Sequence, residues 1–235
     1  MTVWEHIREL RGVLIWCFVF LGLGVGATAV YARRIFFLLV EPLRKYQGDV
    51  VLHTFSPPEV VVIYLKLSFV GGLILSSPFL LWFILQFVLP GLTKTEKRMI
   101  LPAGAAGLLL FALGVLFTYL VVLPVSLRFL WNFNEYFGLT PQWRINYYLS
   151  FVLGLCAVFG LTFELPLVVT VLARIGIASP AFLRQKRGYF IVVLVIGAAL
   201  LTPPDVITQL MMVIPVWLLY EISIFLAALV YTHEH

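Results

Sequence analysis

Charge is what this sequence has least of. Its sixteen Lys and Arg and eleven Asp and Glu make up 11% of 235 residues, and 62% are hydrophobic. An ordinary soluble domain is about 25% charged and about 45 to 50% apolar, so a soluble fold is excluded. Cysteine is almost missing too: Cys17 and Cys156 both fall in apolar runs, where they read as small core residues and not as a disulfide or metal pair. The four histidines, at positions 6, 53, 233 and 235, are scattered. With no His-Glu-x-x-His pattern, no paired catalytic aspartates and no nucleophile constellation, neither an enzyme nor a metal or cofactor is expected. No nucleotide-binding motif is present either, so any work the protein does draws its energy from elsewhere. The formal net charge of +5 is partly a topology signal and gives no sign of nucleic acid.

What the sequence does have is apolar length. Crossing about 30 Å of hydrocarbon takes about 20 mostly apolar residues as a helix. Such runs occur at 13–32, 67–89, 100–123, 149–173, 189–201 and 206–230, and they are apolar on all sides, unlike the alternating strands of a barrel. The expectation is an all-α polytopic membrane protein of six spans, a single integral membrane domain over 1–235. The fifth run is short, since thirteen residues reach about 20 Å; local thinning of the bilayer would accommodate it.

Orientation follows from basic residues counted by loop. With the N-terminus inside, nine are inner (Arg8, Arg11, Lys94, Lys97, Arg98, Arg174, Arg184, Lys186 and Arg187) and six outer (Arg33, Arg34, Arg44, Lys45, Arg128 and Arg144). That bias puts both termini in the cytoplasm. A cleaved signal peptide is not expected, because Glu5 and Glu9 precede an apolar run too long for a signal core, although Ala27-Thr28-Ala29 matches a cleavage pattern. The closing His-Glu-His is set aside.

Two loops share a four-residue signature, SPPE at 56–59 and TPPD at 202–205. Each suits a helix start, with Ser56 or Thr202 as cap, Pro57 or Pro203 at the first helical position, and Glu59 or Asp205 returning a hydrogen bond. Both precede even-numbered spans and so share the outer face. Within spans, Pro78, Pro124, Pro166 and Pro215 each remove a backbone hydrogen bond and bend the helix, so the bundle is expected to present a concave face.

One acid stands out. Glu164, followed by Pro166, lies in the run at 149–173, and an ionised acid at mid-span costs about 2.5 to 3.5 kcal/mol on insertion scales. It needs a wet cavity, a partner or a proton; the plainer alternative is a protonated carboxyl acting as glue between helices. Lys66, Gln209 and Glu221 are the other strongly polar side chains within or bordering spans. At the N-terminus, Val3, Trp4, Ile7, Leu10 and Leu14 share one helical face and Glu5 and Glu9 the opposite one, so this segment should lie along the inner surface. Arg8 is placed to balance the two acids. Glu96 sits on a short inner loop among Lys94, Lys97 and Arg98, where surface ion pairs are worth little.

Taken together, EHIRELR at the start, SPPE, FVLPGLTKTEKR after span two, FELP in span four, LTPPDVITQ into span six and PVWLLYE near its end resemble the TatC family, the polytopic receptor subunit of the twin-arginine protein translocase. The resemblance runs from Trp4 to Glu221 and covers all six spans in order. Ile7 stands where the family usually has leucine, and Lys97 where a second arginine is common.

This resemblance implies a receptor in the cell inner membrane that recognises twin-arginine signal peptides on its cytoplasmic face. It implies assembly with single-span subunits of the TatA/TatB type, and self-association, to export folded proteins by the proton-motive force. Guanidinium makes two parallel bonds to one carboxylate and ammonium does not, so acids facing the cytoplasm suit such a receptor. By the same likeness Glu9 and Glu96 match signal-recognition positions, with Glu5 and Arg11 in the same motif and Phe87 an aromatic nearby. Glu164 matches a buried acid of a concave groove shaped by Pro166. Asp205 and Gln209, one helical turn apart, match positions of assembly or translocation, with which Glu221, Pro57 and Glu59 are grouped. The competing expectation is a small proton- or ion-coupled transporter in which Glu164, Lys66 and Glu221 form a relay, although no internal repeat supports it.

Overall fold

Apolar runs bounded by Pro, Gly and charge fold here into long helices, as they must where backbone polar groups have no water to bond. The computed structural model describes residues 3–47, 52–88, 94–174, 176–201 and 206–231. Helix α1 spans Val3–Gln47, α2 Glu59–Val88 and α3 Lys94–Phe117. A π-helical turn, Thr118–Val122, leads without interruption into α4, Leu123–Tyr136. Then follow α5 Ile145–Phe163, α6 Leu165–Arg174, α7 Pro180–Gln185, α8 Arg187–Leu201 and α9 Val206–Tyr231.

Among the described residues, five helical stretches are long and apolar enough to cross a membrane, while α8 is a shorter apolar helix. Its fifteen residues reach about 22 Å, and it coincides with the short fifth run of the sequence.

Three expectations about the helices need correction. The first helix does not stop near position 32: α1 has 45 residues and is about 68 Å long, because Arg33 and Arg34 end the apolar run without ending the helix. The third run was expected to end at position 123, yet the helix continues to Tyr136. The π-helical turn lies just ahead of Pro124, where the Leu123 N–H reaches back five residues to Thr118 O; a widened turn is one way a helix absorbs a proline. Span four is not one helix but two, α5 and α6, meeting at Glu164.

The antiparallel pairing of α1 and α2 organises half of the molecule. As α1 advances from Trp16 through Phe20 to Thr28, its partners on α2 retreat from Phe83 through Phe79 to Ser68. The helices cross closely at Gly24 and Gly72: a Cβ on Gly72 would lie 2.6 Å from the backbone of Val25. Beside the crossing, Thr28 Oγ1 donates to Ser68 O at 2.6 Å. Small residues let membrane helices approach in this way, since lipid offers no hydrophobic drive to join them.

The last third of α1 joins a core with α4 and α5, in which Val40, Leu43, Leu123, Leu127, Leu149 and Val152 are fully buried. Here Pro42 lies inside α1 and leaves Leu38 O without its helical donor. Tyr119, in the π-helical turn, supplies one: its hydroxyl donates to Leu38 O at 3.0 Å. The Tyr148 hydroxyl donates to the next carbonyl, Leu39 O, at 2.7 Å. A second core unites α5, α8 and α9 around Phe159, Ala198 and Val216.

Candidate functional site

The two ends of the molecule carry different chemistry. Because α1 and α2 run antiparallel, the start of α1, the end of α2 and the start of α3 lie at one end. That end carries Glu9 and Arg11 on α1, Phe87 on α2 and Glu96 on α3. Arg11 is exposed and Phe87 half-buried. The side chains of Glu5, Glu9 and Glu96 lie outside the described residues, as does Asp205 entirely. The TPPD signature, 202–205, thus lies outside the described residues.

At the opposite end, the SPPE signature forms a tie between two loops. Helix α2 begins at Glu59, not at Pro57, since a residue before proline is disfavoured in helical geometry and Pro57 precedes Pro58. Glu59 is 4% exposed. Its Oε2 accepts from the Phe55 N–H at 2.6 Å, and its Oε1 from Arg144 Nε at 3.0 Å. So the carboxylate does return a backbone hydrogen bond, but from Phe55, one residue ahead of the Ser56 cap that the signature implies. The Arg144 guanidinium also stands 5.4 Å from the ring centroids of both Phe55 and Tyr147. Backbone bonds complete the tie: His53 N–H donates to Trp143 O at 3.2 Å, and Ile145 N–H to His53 O at 3.3 Å. Pro57 is exposed in the turn ahead of α2.

Glu164 sits at the joint of α5 and α6 and is 2% exposed, with Oε1 buried and lacking any hydrogen-bond partner. Its backbone is engaged on both sides, the N–H to Leu161 O at 3.2 Å and the carbonyl from the Val168 N–H at 3.0 Å. Pro166, in the first turn of α6, is buried. The carboxyl fits because α3 offers a glycine: a Cβ on Gly107 would lie 3.0 Å from Glu164 Oε2 and 3.1 Å from Leu167 Cδ2.

The remaining polar residues do not gather around Glu164. Lys66 Nζ donates to Asn146 Oδ1 at 2.7 Å and Ser150 Oγ at 2.9 Å. Glu221 pairs with Arg187 at 2.6 Å, tying α9 to α8. Gln209 Nε2 donates to Val195 O at 3.1 Å, a second tie between the same helices. The relay expected of a transporter is thus not assembled, because Lys66 forms no ion pair with Glu164 among the described residues.

Sequence reasoning overlooked four contributors. Arg144 was only one of the outer charges, although its place just before an apolar run marks a helix start near the membrane boundary. Tyr119 and Tyr148 gave no signal of their own, and Pro42 lay outside the expected spans, so the carbonyl it frees was not foreseen. Gly107 is one glycine among seventeen, and nothing along the chain links it to Glu164.

Comparison with known proteins agrees with this architecture. The family model for TatC, Sec-independent protein translocase protein, matches residues 5–215. The chain is 43% identical over 232 residues to the Sec-independent protein translocase protein TatC of Aquifex aeolicus (strain VF5), covering 97% of this chain and 95% of that one. It is 40% identical over 221 residues to the TatC protein of Desulforapulum autotrophicum, covering 94% and 82%. A crystal structure of the twin arginine translocase receptor TatC superposes with a TM-score of 0.86 at 41% identity, covering 96% of this chain and 99% of that one. With the family model matching most of the chain and relatives at 40% identity or more along nearly all of it, the chain belongs to the TatC family of Sec-independent protein translocase proteins.

Proposed function

We propose that this twin-arginine translocase component is the signal-peptide receptor of its complex. It sits in the cell inner membrane as one integral domain, with both termini in the cytoplasm. The observation that carries the reading is the antiparallel register of α1 and α2, which puts the start of α1 and the start of α3 at one end of the molecule. Two acids far apart in sequence, Glu9 and Glu96, then share that end and can each meet one guanidinium of an Arg-Arg pair. Glu5, Arg11 and Phe87 flank them.

Glu164 and Pro166 form the groove that takes a partner helix or the signal peptide. Asp205, Gln209, Glu221, Pro57 and Glu59 serve assembly with single-span subunits of the TatA/TatB type, and further copies of the chain join the working complex.

The test is photocrosslinking from a probe beside Glu96 to a signal peptide bearing Arg-Arg, with a Lys-Lys peptide as control. A crosslink specific to the arginine pair and weakened by Glu9→Ala is expected. Equal crosslinking to both peptides would reduce the acids to general attraction and overturn the receptor reading.

A further inference from the structure

Lys66 is the basic residue nearest the apolar stretch of α2, and its surroundings are unusual for a lysine at that depth. It lies seven residues into α2, about 10 Å along the axis from Glu59, between the apolar residues 60–65 and the longer apolar run that starts at Leu67. A lysine at the hydrocarbon edge ordinarily extends along its helix to reach headgroups and water. This one is turned sideways into α5 and held there, half-buried, by Asn146 Oδ1 at 2.7 Å and Ser150 Oγ at 2.9 Å.

Both partners are neutral. The Ser150 hydroxyl hydrogen is committed elsewhere, donating to Asn146 O at 2.6 Å, so the oxygen turns a lone pair toward Nζ. Asn146, whose Oδ1 is used by Lys66, keeps its amide nitrogen, a double donor, beside the ammonium. The ammonium has three N–H groups and spends two of them on these acceptors. Asn146 also belongs to the first turn of α5, the end of a helix that carries partial positive charge. The nearby acid, Glu59, is already engaged by Arg144 and the Phe55 N–H. The cluster therefore offers spare donors around one positive charge, and by the Thr28–Ser68 contact it lies about one helical turn from the level of Arg33 and Arg34, where the apolar run of α1 ends.

The geometry points to a binding site for the phosphodiester of an anionic phospholipid at Lys66, Asn146 and Ser150, filled from the leaflet at the Glu59 end of the molecule. The ammonium's third N–H and the Asn146 amide donate to the phosphate oxygens. The acyl chains lie along the exposed apolar face of α2 beyond Lys66, where Phe69 and Leu73 are 57% and 40% exposed. This goes beyond signal recognition, which the other end of the molecule serves.

The test uses the full chain in nanodiscs of equal phosphatidylglycerol and phosphatidylcholine, with the lipids retained by the protein identified by native mass spectrometry. The parent is expected to retain phosphatidylglycerol preferentially. Lys66→Gln should reduce that enrichment about fivefold, the effect of one basic residue near an anionic surface, and Lys66→Arg should keep it. Asn146→Asp decides the matter even if Lys66→Gln fails to fold, because it leaves the lysine in place but gives it an internal counter-ion. It should abolish the enrichment while the thermal midpoint holds. Enrichment unchanged in either Lys66→Gln or Asn146→Asp would overturn the proposal. So would loss of the lipid to excess inorganic phosphate, which would assign the site to the free ion.

Discussion

At the scale of single residues, Glu164 separates what stabilises from what functions. Its Oε1 is buried without a hydrogen-bond partner, and an unsatisfied buried polar group is a cost to the folded state. Exchange for the isosteric amide removes the possibility of a buried charge and leaves the shape unchanged. Glu164→Gln is therefore expected to unfold at or above the parent's temperature. Glu164→Ala should transport less cargo, and parent-level export by that variant would remove any functional role for the carboxyl. The glycine facing it gives an independent handle. Gly107→Ala would press a methyl group to within 3.0 Å of Oε2 and 3.1 Å of Leu167, an overpacking expected to cost about 1 to 3 kcal/mol, read as a lower thermal midpoint in detergent.

At the scale of elements, the helices lean on one another where prolines interrupt them. Pro42 frees Leu38 O, and the Tyr119 hydroxyl, brought forward by the π-helical turn, answers it. Tyr119→Phe should cost about 1 kcal/mol in the parent, the net worth of a hydrogen bond. In a Pro42→Ala background the helix recovers its own N–H at that position, so the same substitution should cost much less. A thermodynamic cycle over the four proteins checks this, and additive costs would refute the pairing. Such dependence explains which parts of the fold were legible in sequence. The apolar runs were, because lipid demands uniform hydrophobicity over a fixed length. The true ends of α1 and α4 were not, because a helix leaving the bilayer meets no physical signal to stop at Arg33 or at Pro124. The bond from Tyr119 to Leu38 joins residues 81 apart, and only the folded arrangement of α1 against the π-helical turn makes it. At the site, Glu164 announced itself by being charged in an apolar run, whereas its cradle at Gly107 and the hold of Arg144 on Glu59 exist only through packing.

At the scale of the whole molecule, the Glu59 end is closed by contacts between segments far apart in the chain. Arg144 joins the loop ahead of α2 to the start of α5, and its planar guanidinium lies near two aromatic rings while bonding a carboxylate, which lysine reproduces poorly. Arg144→Ala should leave the Glu59 carboxylate without its cation and loosen residues 52–58. Protease added from that side of sealed vesicles should cut there faster than in the parent, with Arg144→Lys intermediate; equal cutting in all three would show that the backbone bonds alone hold the loop. The length of α1 carries a consequence of another kind, one of timing. Its last third is buried only when α4 and α5 arrive, and Leu39 waits for Tyr148, 109 residues later. At about 5 to 20 residues per second, a growing chain carries that half-built surface for about 5 to 20 s before its partners have been made.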